Sequence, residues 1–204
     1  MSDARPSRYE ISLLVLVLAV LLWSGIAPAD RFTWVMEVFP VLIAVPVLLA
    51  TYKRFRFTPL VYTLIAIHAS ILMLGGKYTY AEVPLGFWME RVFGFSRNNY
   101  DRIGHFAQGF VPALVAREIL SRKSPLKGSR WLPFLVICFC LAFSAFYEFI
   151  EWWTALAKGA SADAFLGTQG DPWDTQWDMF YAFVGSITGL VLLTRIHDRQ
   201  LRER

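Results

Sequence analysis

Residues 131–153 read WLPFLVICFCLAFSAFYEFIEWW. No charge interrupts the run before Glu148, and its length matches the ~20 residues that a helix needs to cross the hydrocarbon core of a bilayer. Glu148 and Glu151 stand three apart at its end, so on a helix they share a face. An acid within a membrane span is costly and marks a functional site by default. This one stretch therefore predicts a membrane helix that ends in a polar site.

The rest of the chain repeats the pattern. Of its 204 residues, 56% are hydrophobic, 16% aromatic and only 18% charged, with mean hydropathy +0.44. A soluble domain would carry about a quarter charged residues. The apolar residues lie in long blocks, whereas a β-barrel would show short alternating segments. The expected fold is all-α: one transmembrane helical bundle over 1–204, with about six spans near 9–28, 32–50, 59–76, 101–120, 131–153 and 174–195.

Taken in order, the first span follows Arg5 and Arg8 and precedes Ala27-Pro28-Ala29. That layout also resembles a signal peptide, but the long apolar run with Trp23 favours a retained helix. The second span holds Pro40 and Pro46, tolerated where neighbours satisfy the freed carbonyls. The third contains His68. In the connection 77–100, apolar Phe87, Trp88, Met89, Val92 and Phe93 flank Glu90 and Arg91, which predicts a short amphipathic helix at the interface. Cys138 and Cys140, two apart on one helix, point in different directions and read as core packing without a disulfide.

Lys and Arg crowd the N-terminus, the loops 51–58 and 121–130, and the C-terminal tail. With six spans these segments share one side, so the positive-inside rule places both termini in the cytoplasm. The net charge of +4 belongs to these loops and is no nucleic-acid signal.

This topology gathers polar residues at the outer face. Asp101, His105 and Gln108 form a stripe at the start of span four. Tyr147, Glu148 and Glu151 close span five, and Asp171, Asp174 and Asp178 open span six. Such groups can hold a divalent cation such as zinc, manganese or iron, or they can move protons. In the first reading His105, Glu148, Glu151, Asp174 and Asp178 are metal ligands. In the second His105, Glu148, Glu151 and Asp178 are catalytic acid–base groups. Asp101, Gln108 and Tyr147 bind or orient a substrate in either case.

Plainer readings stand beside these. Asp101 and Asp174 suit helix N-termini. Glu148 and Glu151 could pair with Arg102 or Lys158. His68 reads as a core residue, His197 in the basic tail as solvated, and Arg117 as snorkelling. Trp152, Trp153, Trp173 and Trp177 suit an aromatic belt, and Gly185 and Gly189 a close-packing face.

Three segments carry a family resemblance: Asp101-Arg102-Ile103-Gly104-His105-Phe106, Phe146-Tyr147-Glu148-Phe149-Ile150-Glu151-Trp152, and the stretch from Gly167 to Met179. They resemble the uncharacterised bacterial inner-membrane proteins of the YjdF type, which brings no established activity. A more distant resemblance is to VanZ-like proteins, through Asp101 and His105, Glu148, and Asp178 with Gly185 and Gly189. Glu151 and the Asp-rich loop before span six depart from that pattern. The resemblances imply a multi-pass protein of the bacterial inner membrane with a cell-envelope role.

The expectation is thus a membrane protein that binds or modifies a lipid headgroup or lipid-linked intermediate, with a divalent cation as its cofactor. The alternatives are a proton-coupled carrier, and a structural protein whose outer carboxylates only lock helices together.

Overall fold

The computed structural model describes residues 5–203, and among them it contains helices and no strand. Six long helices account for most of the chain. α1 (Arg8–Gly25) begins at a capping box, in which Ser7 accepts from the Glu10 amide and the Glu10 carboxylate accepts from the Ser7 amide. α2 (Arg31–Thr51) is capped by Asp30, whose carboxylate accepts from the Thr33 amide at 2.7 Å. That bond holds the Asp30 carboxyl below its ordinary pKa. α3 (Pro59–Tyr78) starts with proline at its first position behind the Thr58 cap. Short α4 (Pro84–Phe93) ends at Gly94, where φ of 68° gives a left-handed cap. α5 (Tyr100–Lys123) and α6 (Trp131–Lys158) follow. After the four-residue α7 (Asp163–Leu166), α8 (Asp174–Arg202) completes the chain.

Specific contacts define the two ends of the bundle. At one end Tyr9 meets Thr63, Glu10 pairs with Arg56, and Gln200 accepts from the Leu60 amide. At the other, Lys77 reaches the Ile26 carbonyl and the starts of α5 and α8 meet the end of α6. The first is called here the terminal end and the second the site end.

α5 is the hub. It packs against α3, α6 and α8, whereas α1 and α2 pack on α3. The α5–α8 pair is closest because glycines line it. A Cβ on Gly109 would lie 1.8 Å from the Ala182 carbonyl oxygen, and one on Gly185 only 2.1 Å from that of Phe106. Small residues let membrane helices approach this closely, which replaces the hydrophobic driving force that lipid removes. Beneath, Val61, Ala113, Leu114, Leu132, Val136, Cys140 and Leu190 form one buried cluster.

Five helices (α1, α2, α3, α6 and α8) are long and apolar enough to cross a membrane. α5 is the exception by composition, not by length. Its Asp101, His105, Gln108, Arg117 and Glu118 are all buried inside the bundle. Hydropathy measures what a helix offers to lipid, and the neighbours of α5 take much of that role.

Several expectations are corrected. α6 runs on to Lys158, past the span end at Trp153, and α1 ends at Gly25 rather than Pro28. Cys140 is buried, but Cys138 is exposed. His197 is not solvated: it is fully buried, and Arg117 does not snorkel. Glu118 accepts from the Thr58 amide and hydroxyl, from His197 Nε2 at 3.0 Å and from Arg122 at 2.7 Å. Arg117 bonds His197 Nδ1 and the Asp198 carboxylate. This satisfied network ties α3, α5 and α8 together at the terminal end. α4 is amphipathic as expected, with Leu85, Trp88, Val92 and Phe93 exposed.

Candidate functional site

The stripe on α5 decides the site. Asp101, His105 and Gln108 recur at helical spacing, so one face of α5 presents all three. Packing then brings α6 and α8 against that face. His105 is buried among carboxylates. Its Nε2 lies 3.3 Å from Asp101 Oδ1 and 3.8 Å from Asp178 Oδ1. Its Nδ1 lies 2.9 Å from Gln108 Oε1 and 4.0 Å from Glu148 Oε1. Glu151 completes a second grouping around His105 with Glu148.

Sequence reasoning missed Glu37. This acid of α2 is buried, and its Oε2 accepts from the Tyr147 hydroxyl at 3.3 Å. The signal was available, because an acid six residues into an apolar span meets the same criterion as Glu148. Phe165 of α7 packs against Tyr147 and Phe32 and roofs this side of the chamber.

Asp174 is placed differently from its neighbours. Its Oδ1 accepts from Arg97 at 2.6 Å, one turn outward from Asp178. Burial disfavours the charge on Arg97, but the bond and field of Asp174 outweigh it and raise its pKa. Arg97 also donates to the Thr168 carbonyl and so ties the α7–α8 connection to the chamber rim. Arg102 faces Asp171 at 3.5 Å and lies over the rings of Trp177 and Tyr181, and it makes no ion pair with Glu148 or Glu151. Trp152, Trp153, Trp173 and Trp177 are exposed around this end, as an interfacial belt requires. His68 lines the chamber's cavity from the middle of α3, with Nε2 buried and without a hydrogen bond.

Five carboxylates are thus buried at the site end: Glu37, Asp101 and Glu151 line one cavity with His105, and Glu148 and Asp178 lie close to that histidine. Buried polar atoms are normally bonded, and each exception needs a cause. Here Asp101 Oδ2, Asp178 Oδ1 and both oxygens of Glu148 have no hydrogen-bond partner. Charges so placed need protons or a cation.

Two groupings have ligand atoms close enough to converge on an ion: Asp101, His105 and Asp178, and His105, Glu148 and Glu151. The Gln108 contact distinguishes them. A histidine that holds a metal usually donates its other ring N–H to an oxygen. With Nδ1–H donated to Gln108 Oε1, the free Nε2 faces Asp101 and Asp178.

Residues 9–199 match the family described as "Predicted membrane protein (DUF2238)". The chain is 57% identical over 198 residues to the inner membrane protein YjdF of Escherichia coli (strain K12), covering 97% of this chain and 94% of that one. The more distant VanZ-like resemblance gains no support from these matches. No solved structure matches.

Proposed function

The chain belongs to the DUF2238 family of predicted membrane proteins, and we propose that it binds a divalent cation at Asp101, His105 and Asp178 and, through it, an anionic lipid headgroup. In this reading α5 is a sixth span, both termini are cytoplasmic, and the chamber opens toward the outer face of the bacterial inner membrane. The name of the Escherichia coli relative supports the membrane, and the basic loops support the orientation.

The carrying observation is the cluster of unpartnered carboxylate oxygens around His105. Helical bundles build cation sites from such inward-facing acids and histidines. A cation there offsets the chamber's charge and leaves positions free for an oxygen of a phosphate-bearing headgroup. Gln108 fixes the His105 ring. Glu148 and Glu151 accept protons or hydroxyl donors from the ligand, and Tyr147 and Glu37 line its approach. Arg97 and Arg102, one turn outward, draw an anion to the rim.

Thermal unfolding of chelator-treated protein tests the reading. Added Zn²⁺ or Mn²⁺ should raise Tm, and dihexanoyl phosphatidic acid should raise it further only when the cation is present. No shift in the wild type, or an equal shift in Asp178→Asn, would contradict it.

His68 favours a second reading. Its unbonded Nε2 lies along the cavity between the chamber and the terminal end, where a proton-coupled carrier would need a relay. Proteoliposomes that show no proton flux under a pH gradient would dismiss that alternative.

A further inference from the structure

The chamber is only the polar head of a longer cavity of about 1020 Å³. From Glu37, His105 and Glu151 its walls continue down the bundle. They pass Pro40, Ala44 and Leu48 on one side and Val111, Val115 and Phe139 on the other. At the terminal end the cavity reaches Glu10, Thr51 and Tyr52. Between its two polar ends the lining is almost wholly aliphatic and aromatic.

Helix packing explains why this space exists. α2 lies along α3, and α6 lies along α5 and α8, so the cavity occupies the gap between α2 and α6. Its lateral lips, Val47 and Phe139, are half exposed. In a bilayer that side faces acyl chains. Pro40 and Pro112 both line the gap.

We infer that the cavity is a slot for one hydrocarbon chain of the bound lipid, entered sideways between α2 and α6, with its headgroup at the His105 chamber. This rests on the headgroup reading above and gives the ligand its apolar half. Two features select a chain over other occupants. The slot is continuous with a cluster that suits a polar head, and its open side meets the membrane itself. Its length also fits. Glu37 and Thr51 are fourteen residues apart on α2, or roughly 21 Å at 1.5 Å per residue. An extended chain of C–C bonds near 1.5 Å advances roughly 1.25 Å per carbon, so about sixteen carbons fill the slot. Beyond them the Glu10–Arg56 pair and Tyr52 form a polar stop.

Photo-crosslinking tests the inference. The probe is a sixteen-carbon lysophosphatidic acid with a diazirine either near the headgroup or at the chain end, carried in vesicles of phosphatidylethanolamine and phosphatidylglycerol. The near probe should label Pro40 and Val111, and the end probe Leu48 and Tyr62. Ala44→Trp and Val115→Trp, from opposite walls, should each cut slot labelling at least fivefold. Labelling of outward-facing Leu22 and Val191 should stay unchanged in both. Labels confined to outward-facing positions, or a pattern indifferent to the diazirine position, would overturn the slot. The cation is measured in the same samples. Slot labelling without any bound cation would leave the slot standing and remove the cation reading. Bound cation with an unlabelled slot would do the reverse.

Discussion

Removing one negative charge from the chamber should stabilise this protein when no cation is bound. Glu148 has two buried oxygens without partners and lies beside His105 and Glu151. Glu148→Gln keeps the shape and deletes a repulsive charge, so in chelator it should raise stability by about 1 kcal/mol, which is roughly 2–4 °C in Tm for a chain of this size. With Zn²⁺ or Mn²⁺ added the order should reverse, because the wild type gains more from the ion. Differential scanning calorimetry in both conditions checks the sign. A variant less stable than the wild type in chelator would mean that Glu148 is held as part of a structural lock. At this scale the sequence was only partly legible. Asp101, His105 and Gln108 were found because helical spacing puts them on one face. His197 was misread because Arg195, Asp198 and Arg199 surround it, and a charged neighbourhood reads as solvent. Its burial depends on Glu118 and Arg117, some eighty residues away, and no local pattern carries that pairing.

Close backbone approach holds α5 to α8, while apolar clusters join the other helices. Gly109 stands where a side chain would strike the Ala182 carbonyl. Gly109→Val must therefore push α8 away from α5, with a cost of about 1–3 kcal/mol or more from overpacking. The same motion would separate His105 from Asp178, so metal binding and Tm should fall together. Val136→Ala, in the buried cluster between α5 and α6, should lower Tm with little effect on the ion. Equal loss of metal in both variants would break the link drawn here between the α5–α8 contact and the site. Five of the six expected spans are helices long and apolar enough to cross a membrane. α5, expected as a span like the others, falls short by composition, because a helix enclosed by its neighbours can carry the polar residues that hydropathy counts against it. Helix ends were less legible still: α6 outlasts its apolar run by a turn, to Gly159 with φ of 57°.

The whole molecule gathers charge at two levels. The terminal end carries a satisfied network around Glu118, and the site end an unsatisfied one around His105. The first holds helices together, and the second is the site proposed to receive a ligand. The proposed orientation rests on the basic loops, and reporter fusions test it. A fusion after Arg202, or within 124–129, should report the cytoplasm, whereas insertions near Phe95 or Gln169 should report the outer face. The same side reported near Phe95 and within 124–129, with Gln169 on the opposite side, would remove α5 as a span and invert the part of the bundle that follows it.

Metal content of the purified protein tests the central claim most directly. Protein extracted in detergent without chelator and resupplied with zinc and manganese is compared with His105→Ala and Asp178→Asn by inductively coupled plasma mass spectrometry. The account predicts near-stoichiometric metal in the wild type and loss of most of it in both variants, with the folded bundle retained. A wild type that stays metal-free, or variants that bind as much as it does, would contradict the account and leave the carboxylates as a protonated or ion-paired helix lock.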